Sequence, residues 1–451
     1  MSSPSRDELR SLWRLAWPIV ATQVAFMLLG VVDVLLLGHV SVAALDASAL
    51  GNQWGWATLS LGMGTVMGMD PIVAQAFGEG DDEGAAVALQ RGLVVALLAS
   101  IPVGVAWGLT APALVALGQD PEIARAAATY NWLRIPSIPF MLGFTALRSW
   151  LAGRNLVSPA MWVALGMNAL NLFLGWALIF GELGLPRLEL RGAGIAACAV
   201  AMAEPLALAA IVRGGGLHRG AWRAWDRRSL DLRGLAQIAR VGVAIGAQLS
   251  FEGSAWSLAA MMAGWLGAPA LAGHTIVLNL IALWFQVPLG IALAASVRVG
   301  NLIGASDLEG ARRAGSVALG LGAAVMLISA ATFVLLRWEL PRLFTTDLPV
   351  IELAAAILPI AGAFQVFDGT QVVAGGVLRG AGRTQAPALA NLLGYALALP
   401  LGAWLGAAGR AGLAGIWLGL LVGLAIVAGL MLFWLRRTAR LPLAELRIAA
   451  S

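Results

Sequence analysis

Apolar residues run along this chain in long blocks, interrupted by short clusters of glycine, proline and charge. The blocks predict twelve helices, at residues 12–39, 50–77, 88–117, 124–151, 157–181, 192–213, 235–267, 271–303, 311–340, 349–379, 385–407 and 411–436. Each is long enough to cross a bilayer, which takes about 20 apolar residues. Most connections are short. The exception is 214–234, GGGLHRGAWRAWDRRSLDLRG, which is glycine-rich and then strongly basic. It falls almost midway, and reads as a cytoplasmic linker between an N-terminal lobe at 1–213 and a C-terminal lobe at 235–451, six helices each.

Composition agrees with this pattern. Of the 451 residues, 60% are apolar and 12% charged, against roughly 25% charged in a soluble domain. A soluble core cannot absorb so much apolar surface, and a β-barrel would alternate polar and apolar residues over short strands. A nucleic-acid-binding, disordered or disulfide-built protein is excluded on the same grounds. The single cysteine, Cys198, lies in an apolar run and reads as a small buried residue. The net charge of +5 comes from 29 basic residues, all of them arginine. With both termini in the cytoplasm, 22 of the 29 fall on the inner side and 7, Arg134 and Arg410 among them, on the outer side. That bias fits the positive-inside rule and an even number of spans. No cleavable signal peptide is expected before the first apolar segment.

The two halves repeat. A shift of 226 residues places Gly38 on Gly264, Gly64 on Gly290, Gly78 on Gly304, Asp81 on Asp307, and Glu83-Gly84-Ala85 on Glu309-Gly310-Ala311. Six helices per half is an even number, so both halves enter from the same side. Their pseudo-two-fold axis is then expected along the membrane normal. Internal repeats of this kind mark transporters, with a substrate site near mid-membrane.

Five acids interrupt apolar segments: Asp33, Asp70, Glu204, Glu252 and Asp368. Intramembrane charge is costly, and so points to function. The repeat does not preserve them, since Asp33 falls on Ala259 and Glu252 on Phe26. At ~1.5 Å rise per residue, Glu252 lies about 18 Å in from Arg240 and Asp368 about 16 Å in from Arg379. These two share a near-central depth and are expected to face one cavity. Asp33, about 28 Å from Arg14, belongs to the outer part of the first half. Gln248 and Glu252 share a helix face, as do Phe364, Asp368 and Gln371. Carboxylates, amides and an aromatic ring suit a cation-binding cavity that exchanges a proton or Na⁺ for a cationic substrate.

The plain alternative for each acid is a hydrogen bond to a neighbouring helix. It weighs most for Asp70 and Glu204, each followed by a proline. Pro18 is expected to bend the first helix, either permanently or on demand. The three histidines form no metal-ligand pattern, and no phosphate-binding loop of the G-x-x-x-x-G-K-[ST] type occurs. The acidic loop at 78–84 reads as solvated.

Four stretches carry a family resemblance: LAWPIVATQ with VVDVLLLGHVS, DPIVAQAFGEGD, SFEGSAW, and FQVFDGTQVVAGGVLRGAGRT. In order and spacing the chain resembles the multidrug and toxic compound extrusion (MATE) transporters, and most closely their NorM-like bacterial branch. The resemblance implies an all-α membrane protein of two six-helix lobes in the bacterial inner membrane. It further implies export of small organic cations in exchange for H⁺ or Na⁺, with no other cofactor. The family's functional acids map onto Asp33, Glu252 and Asp368, its bending first helix onto Pro18, and a possible Na⁺ site onto Glu252 and Asp368. Two positions depart from the pattern. Phe364 stands where a tyrosine is usual one turn before the tenth-span acid. In the fifth span Asn171 keeps the first of two polar positions, but Gly175 takes the second. Both changes leave cation coordination poorer in oxygen and tilt the reading toward H⁺, or toward a site weaker for Na⁺.

The expected partners are drugs, dyes and membrane lipids, with no nucleic acid, and the architecture should work as a monomer. A flippase for lipid-linked oligosaccharides is the main alternative, disfavoured because arginine is scarce within the spans. A membrane enzyme would need a metal cluster or a nucleophile–base constellation, and neither is found. A channel filter would need repeated ligands, whereas these acids are asymmetric.

Overall fold

The structure, a computed structural model, describes residues 4–408 and 411–448. Arg410, assigned to the outer side by the charge count, lies outside them. The described chain is helical, with no strand. Its helices are α1 Pro4–Gly38, α2 Val42–Met67, α3 Asp70–Glu79, α4 Asp82–Gly108, α5 Thr110–Ala116, α6 Pro121–Arg134, α7 Ile138–Gly153, α8 Ser158–Phe180 and α9 Leu190–Gly214. They continue as α10 Leu232–Trp265, α11 Ala268–Gly304, α12 Leu308–Leu335, α13 Glu339–Arg342, α14 Leu348–Gly380, α15 Gln385–Ala403, α16 Gly412–Thr438 and α17 Leu443–Leu446.

Every predicted segment is helical, and several are built of two pieces. The second breaks before Asp70-Pro71, where proline opens α3. The fourth breaks at Ile135–Ser137, a 3₁₀ turn set among Pro136 and Pro139, which lack the N–H a continuous helix needs. Nine of the described helices are long and apolar enough to cross a membrane. The broken pair α6 and α7, and the more polar α2 and α10, are the expected spans not among them. Those two carry Asn52, Gln248 and Glu252, so the polar residues that lower their hydropathy are candidate site residues.

The chain packs as two units. The first, here the N-unit, comprises residues 21–246. The second, the C-unit, comprises 4–20 and 247–448. The chain therefore changes unit twice, each time inside a continuous helix, at 20/21 in α1 and at 246/247 in α10.

In the N-unit, Gly64 and Gly68 of α2 lie against Gly246 and Gly242 at the start of α10, so closely that a β-carbon on any of them would overlap the facing backbone. Small residues spaced four apart permit this approach. The basic linker is fastened to the same unit. Gln90 Nε2 donates to the Arg223 carbonyl at 2.8 Å, Arg91 Nε to that of Arg228 at 3.1 Å, and Arg154 Nη1 to that of Leu217 at 2.7 Å. The acidic loop is solvent-exposed, as its sequence suggests, and Glu83 also pairs with Arg223 and Arg228. Its repeat has a local cause. Asp81 accepts from Gly84 N–H and Asp307 from Gly310 N–H, each at 2.8 Å, so both cap the helix that follows.

In the C-unit, α14 packs against α11, α12 and α16. Residues 4–20 are clamped to α11 by a two-pronged ion pair, with Arg298 Nε and Nη2 at 2.7 and 2.9 Å from the Glu8 carboxylate. Farther along, Gly290 presses against Val20. The shift of 226 that relates Gly64 to Gly290 also relates Val20 to Gly246. The same helix contact thus occurs once in each unit, at the residue where the chain crosses over. α1 runs unbroken through Pro18, two residues before its crossing.

Candidate functional site

In the C-unit, the half-helix 247–265 carries Gln248, Glu252 and Trp256 at four-residue spacing, and α14 carries Phe364, Asp368 and Gln371. Helical periodicity makes each set one stripe. The stripes meet at Gln371. Its Nε2 lies 3.3 Å from Glu252 Oε1 and 3.3 Å from Asp368 Oδ1, so one amide donates to both carboxylates. The two acidic oxygens are therefore no more than twice that distance apart. Asp368 is 3% exposed and Gln371 fully buried, while Glu252 is half-buried. Neither acid has an ion-pair partner within 4.0 Å among the described residues, although Arg379 acts on Glu252 at longer range.

Aromatic rings stand beside the acids. Trp256, Phe364 and Trp417 are in mutual contact, with centroids 5.4, 6.0 and 6.1 Å apart. His274 adds a fourth ring, 5.5 Å from Trp417. From α15, Tyr395 lies within electrostatic reach of both Glu252 and Asp368. Its buried hydroxyl and the Gln371 Oε1 have no hydrogen-bond partner among the described residues. A phenol on another helix thus lies within electrostatic reach of the acids, where Phe364 has none.

The N-unit holds Asp33 near the end of α1. Asn171 Nδ2 of α8 donates to its Oδ1 at 2.9 Å. One turn on, Gly175 faces Leu36, whose Cδ1 would stand 2.6 Å from a β-carbon there. The second polar position of the family pattern is small here because an α1 side chain fills its place. Arg134 acts on Asp33 electrostatically. Its guanidinium stacks over Tyr130 and Trp107 at 4.8 and 5.1 Å, and its Nη1 donates to Asn52 Oδ1 at 2.7 Å.

The structure thus brings Glu252, Asp368, Gln371 and Phe364 together, with Gln248 one turn from Glu252, and places Asp33 with Asn171 in the other unit. Sequence reasoning missed Tyr395, Trp417, Tyr130 and Arg134. One signal was available: the chain has only two tyrosines, and each stands beside one of these acid groups.

An all-helical bundle whose polar residues gather inside apolar helices is a membrane transporter architecture. The model of the MatE family matches residues 18–177 and 253–404. A protein of Bradyrhizobium diazoefficiens named "Probable multidrug resistance protein NorM" is 35% identical, over 96% of this chain and 94% of its own length. The "Multidrug resistance protein NorM" of Burkholderia vietnamiensis is 33% identical, over 93% and 91%. Among solved structures, the eukaryotic MATE transporter AtDTX14 matches with a TM-score of 0.88 at 22% identity, covering 97% of this chain and 98% of that one. The chain belongs to the MatE family. It is a NorM-like, multi-pass membrane transporter and not an enzyme.

Proposed function

We propose that this chain is a secondary-active multidrug efflux antiporter of the bacterial inner membrane, with both termini cytoplasmic. It exports amphipathic organic cations in exchange for H⁺ or Na⁺. The observation that carries this reading is the shared amide of Gln371. It holds Glu252 and Asp368 side by side with no ion-pair partner within 4.0 Å among the described residues, next to a wall of three aromatic rings. Two carboxylates, the free Gln371 Oε1 and the Tyr395 hydroxyl offer oxygens to a small cation. The rings offer π faces to an organic one. Both ligands would use the same acids, so binding one disfavours the other, which is the requirement for exchange. Asp33 would serve as a further cation-responsive group in the N-unit, and Pro18 would give α1 its freedom to bend.

The test is cationic-dye transport in proteoliposomes, with a Na⁺ gradient and a pH gradient imposed separately. Dye movement driven by one gradient, and lost in Asp368→Asn protein that still inserts and folds, is the expected result. No movement under either gradient, across several dyes, would overturn the reading and favour a lipid-linked substrate. That second reading is weaker because Arg134, which could meet a pyrophosphate, is already held by Asn52 and two rings.

A further inference from the structure

The N-unit contains a second group of buried charges that the antiport reading leaves unused. Helix α7 packs against both α3 and α9. Its Arg148 acts electrostatically on two carboxylates, Asp70 at the start of α3 and Glu204 inside α9. Arg148 Nη1 donates to Gln23 Oε1 at 3.0 Å, and its guanidinium lies over the Phe26 ring at 5.8 Å. Glu204 is 6% exposed. It accepts no hydrogen bond and forms no ion pair within 4.0 Å among the described residues; its one electrostatic partner is Arg148.

The other surroundings of Glu204 are nearly neutral. The elements packed against α9 are α6, α7, α8 and the turn at 135–137. Neither α8 nor the turn carries a titratable side chain, and α7 contributes Arg148 alone. Helix α6 brings Glu122, Arg125, Tyr130 and Arg134, and α9 itself Arg191, Cys198 and Arg213; none of these acts on Glu204.

Two arguments converge on a proton. The first is charge: an ionised Glu204 would lie inside an apolar bundle with no hydrogen-bond donor among the described residues and with one acting cation, Arg148, whose field it shares with Asp70, and poorly compensated charge there is costly. A proton removes that charge, whereas a metal cation would be repelled by Arg148. The second is hydrogen bonding. Pro205 has no N–H, so the Ala201 carbonyl loses its helical donor. An ionised carboxylate only accepts hydrogen bonds and cannot replace that donor, but a protonated Glu204 can. Helical side chains lean toward the preceding turn, which is where Ala201 lies.

We propose that Glu204 is a second proton-exchange site of the transporter, with Arg148 held by Gln23 while Glu204 takes up and releases a proton. Its place in the transport cycle rests on the antiport reading above, but the site itself can be read without transport. The experiment is infrared difference spectroscopy in lipid nanodiscs as pH is stepped. The background is a variant with Asp33→Asn, Glu252→Gln and Asp368→Asn together, which silences the acids of the proposed antiport site. A carboxylic-acid band that grows and fades with pH, disappears in Glu204→Gln and returns at a displaced midpoint in Glu204→Asp is the expected outcome. Spectra unchanged by Glu204→Gln, or a Glu204 band that stays constant with pH, would overturn the proposal and leave a permanently protonated structural acid. In the otherwise native chain, Glu204→Gln should lower the number of protons exchanged per dye. A titrating Glu204 band in protein that moves no dye would refute the antiport and leave the proton site standing.

Discussion

The two units solve the same electrostatic problem differently. Each sets carboxylates against a side-chain amide: Asp33 on Asn171 at 2.9 Å, and Glu252 with Asp368 on Gln371 at 3.3 Å. The N-unit then supplies guanidinium groups, Arg134 acting on Asp33 and Arg148 on Asp70 and Glu204. The C-unit places two acids on one amide and surrounds them with rings instead. Arg379 acts on Glu252, but among the described residues no cation acts on Asp368. A fixed countercharge makes an acid self-sufficient, whereas an acid without one needs a mobile cation. Under the proposed antiport, the contrast leads us to expect the stronger cation binding in the C-unit and a modulating part for the N-unit.

The largest effect should come from Asp368→Asn. A hydrogen bond or contact to a charged group is worth about 1.5–3 kcal/mol, so cation binding should weaken by about 10–100-fold. Calorimetric titration of the purified protein, with gradient-driven dye export beside it, measures this. Gln371→Leu comes next. It strands both carboxylates without their donor and should weaken cation binding about tenfold, with a loss of roughly 1–3 kcal/mol in stability. Wild-type export by Gln371→Leu would break the comparison, since the shared amide would then be incidental. In Asn171→Ala, Asp33 keeps the field of Arg134, so the export defect should be smaller than that of Gln371→Leu. The reverse order would move the main site into the N-unit. The smallest effect belongs to Glu83→Ala. Exposed ion pairs contribute about 0–1 kcal/mol, so its melting temperature and transport should match wild type closely.

Much of this arrangement was legible along the chain. Apolar blocks marked every long helix, and missed only short pieces such as α17. Counting residues inward from Arg240 and Arg379 placed Glu252 and Asp368 at one depth, and helix spacing added Gln248, Phe364 and Gln371. What escaped was tertiary. Tyr395 and Trp417 reach the site from α15 and α16, and no periodicity links those helices to α14. The charge count only sorted Arg134 to the outer side and Arg148 to the inner, yet the first stacks on rings and the second lies on α7, which packs against α3 and α9. The crossings at 20/21 and 246/247 escaped because a continuous helix carries no mark where its packing partners change. The four-residue spacing of Gly64 with Gly68, and of Gly242 with Gly246, was their one visible trace.

Those crossings bear on how the protein is made. Residues 4–20 are made long before the C-unit they join, since the clamp that holds them links Glu8 to Arg298 across 290 positions. The N-unit is likewise incomplete until residues 232–246 have been synthesised, because the glycines of α2 pack on them. Contacts so distant in sequence slow folding. The nascent chain must therefore keep its first helices in the membrane with their final neighbours still unmade. A chain truncated after Gly214 would lack the piece that finishes its own first half, so neither half of this gene product is a self-contained folding module.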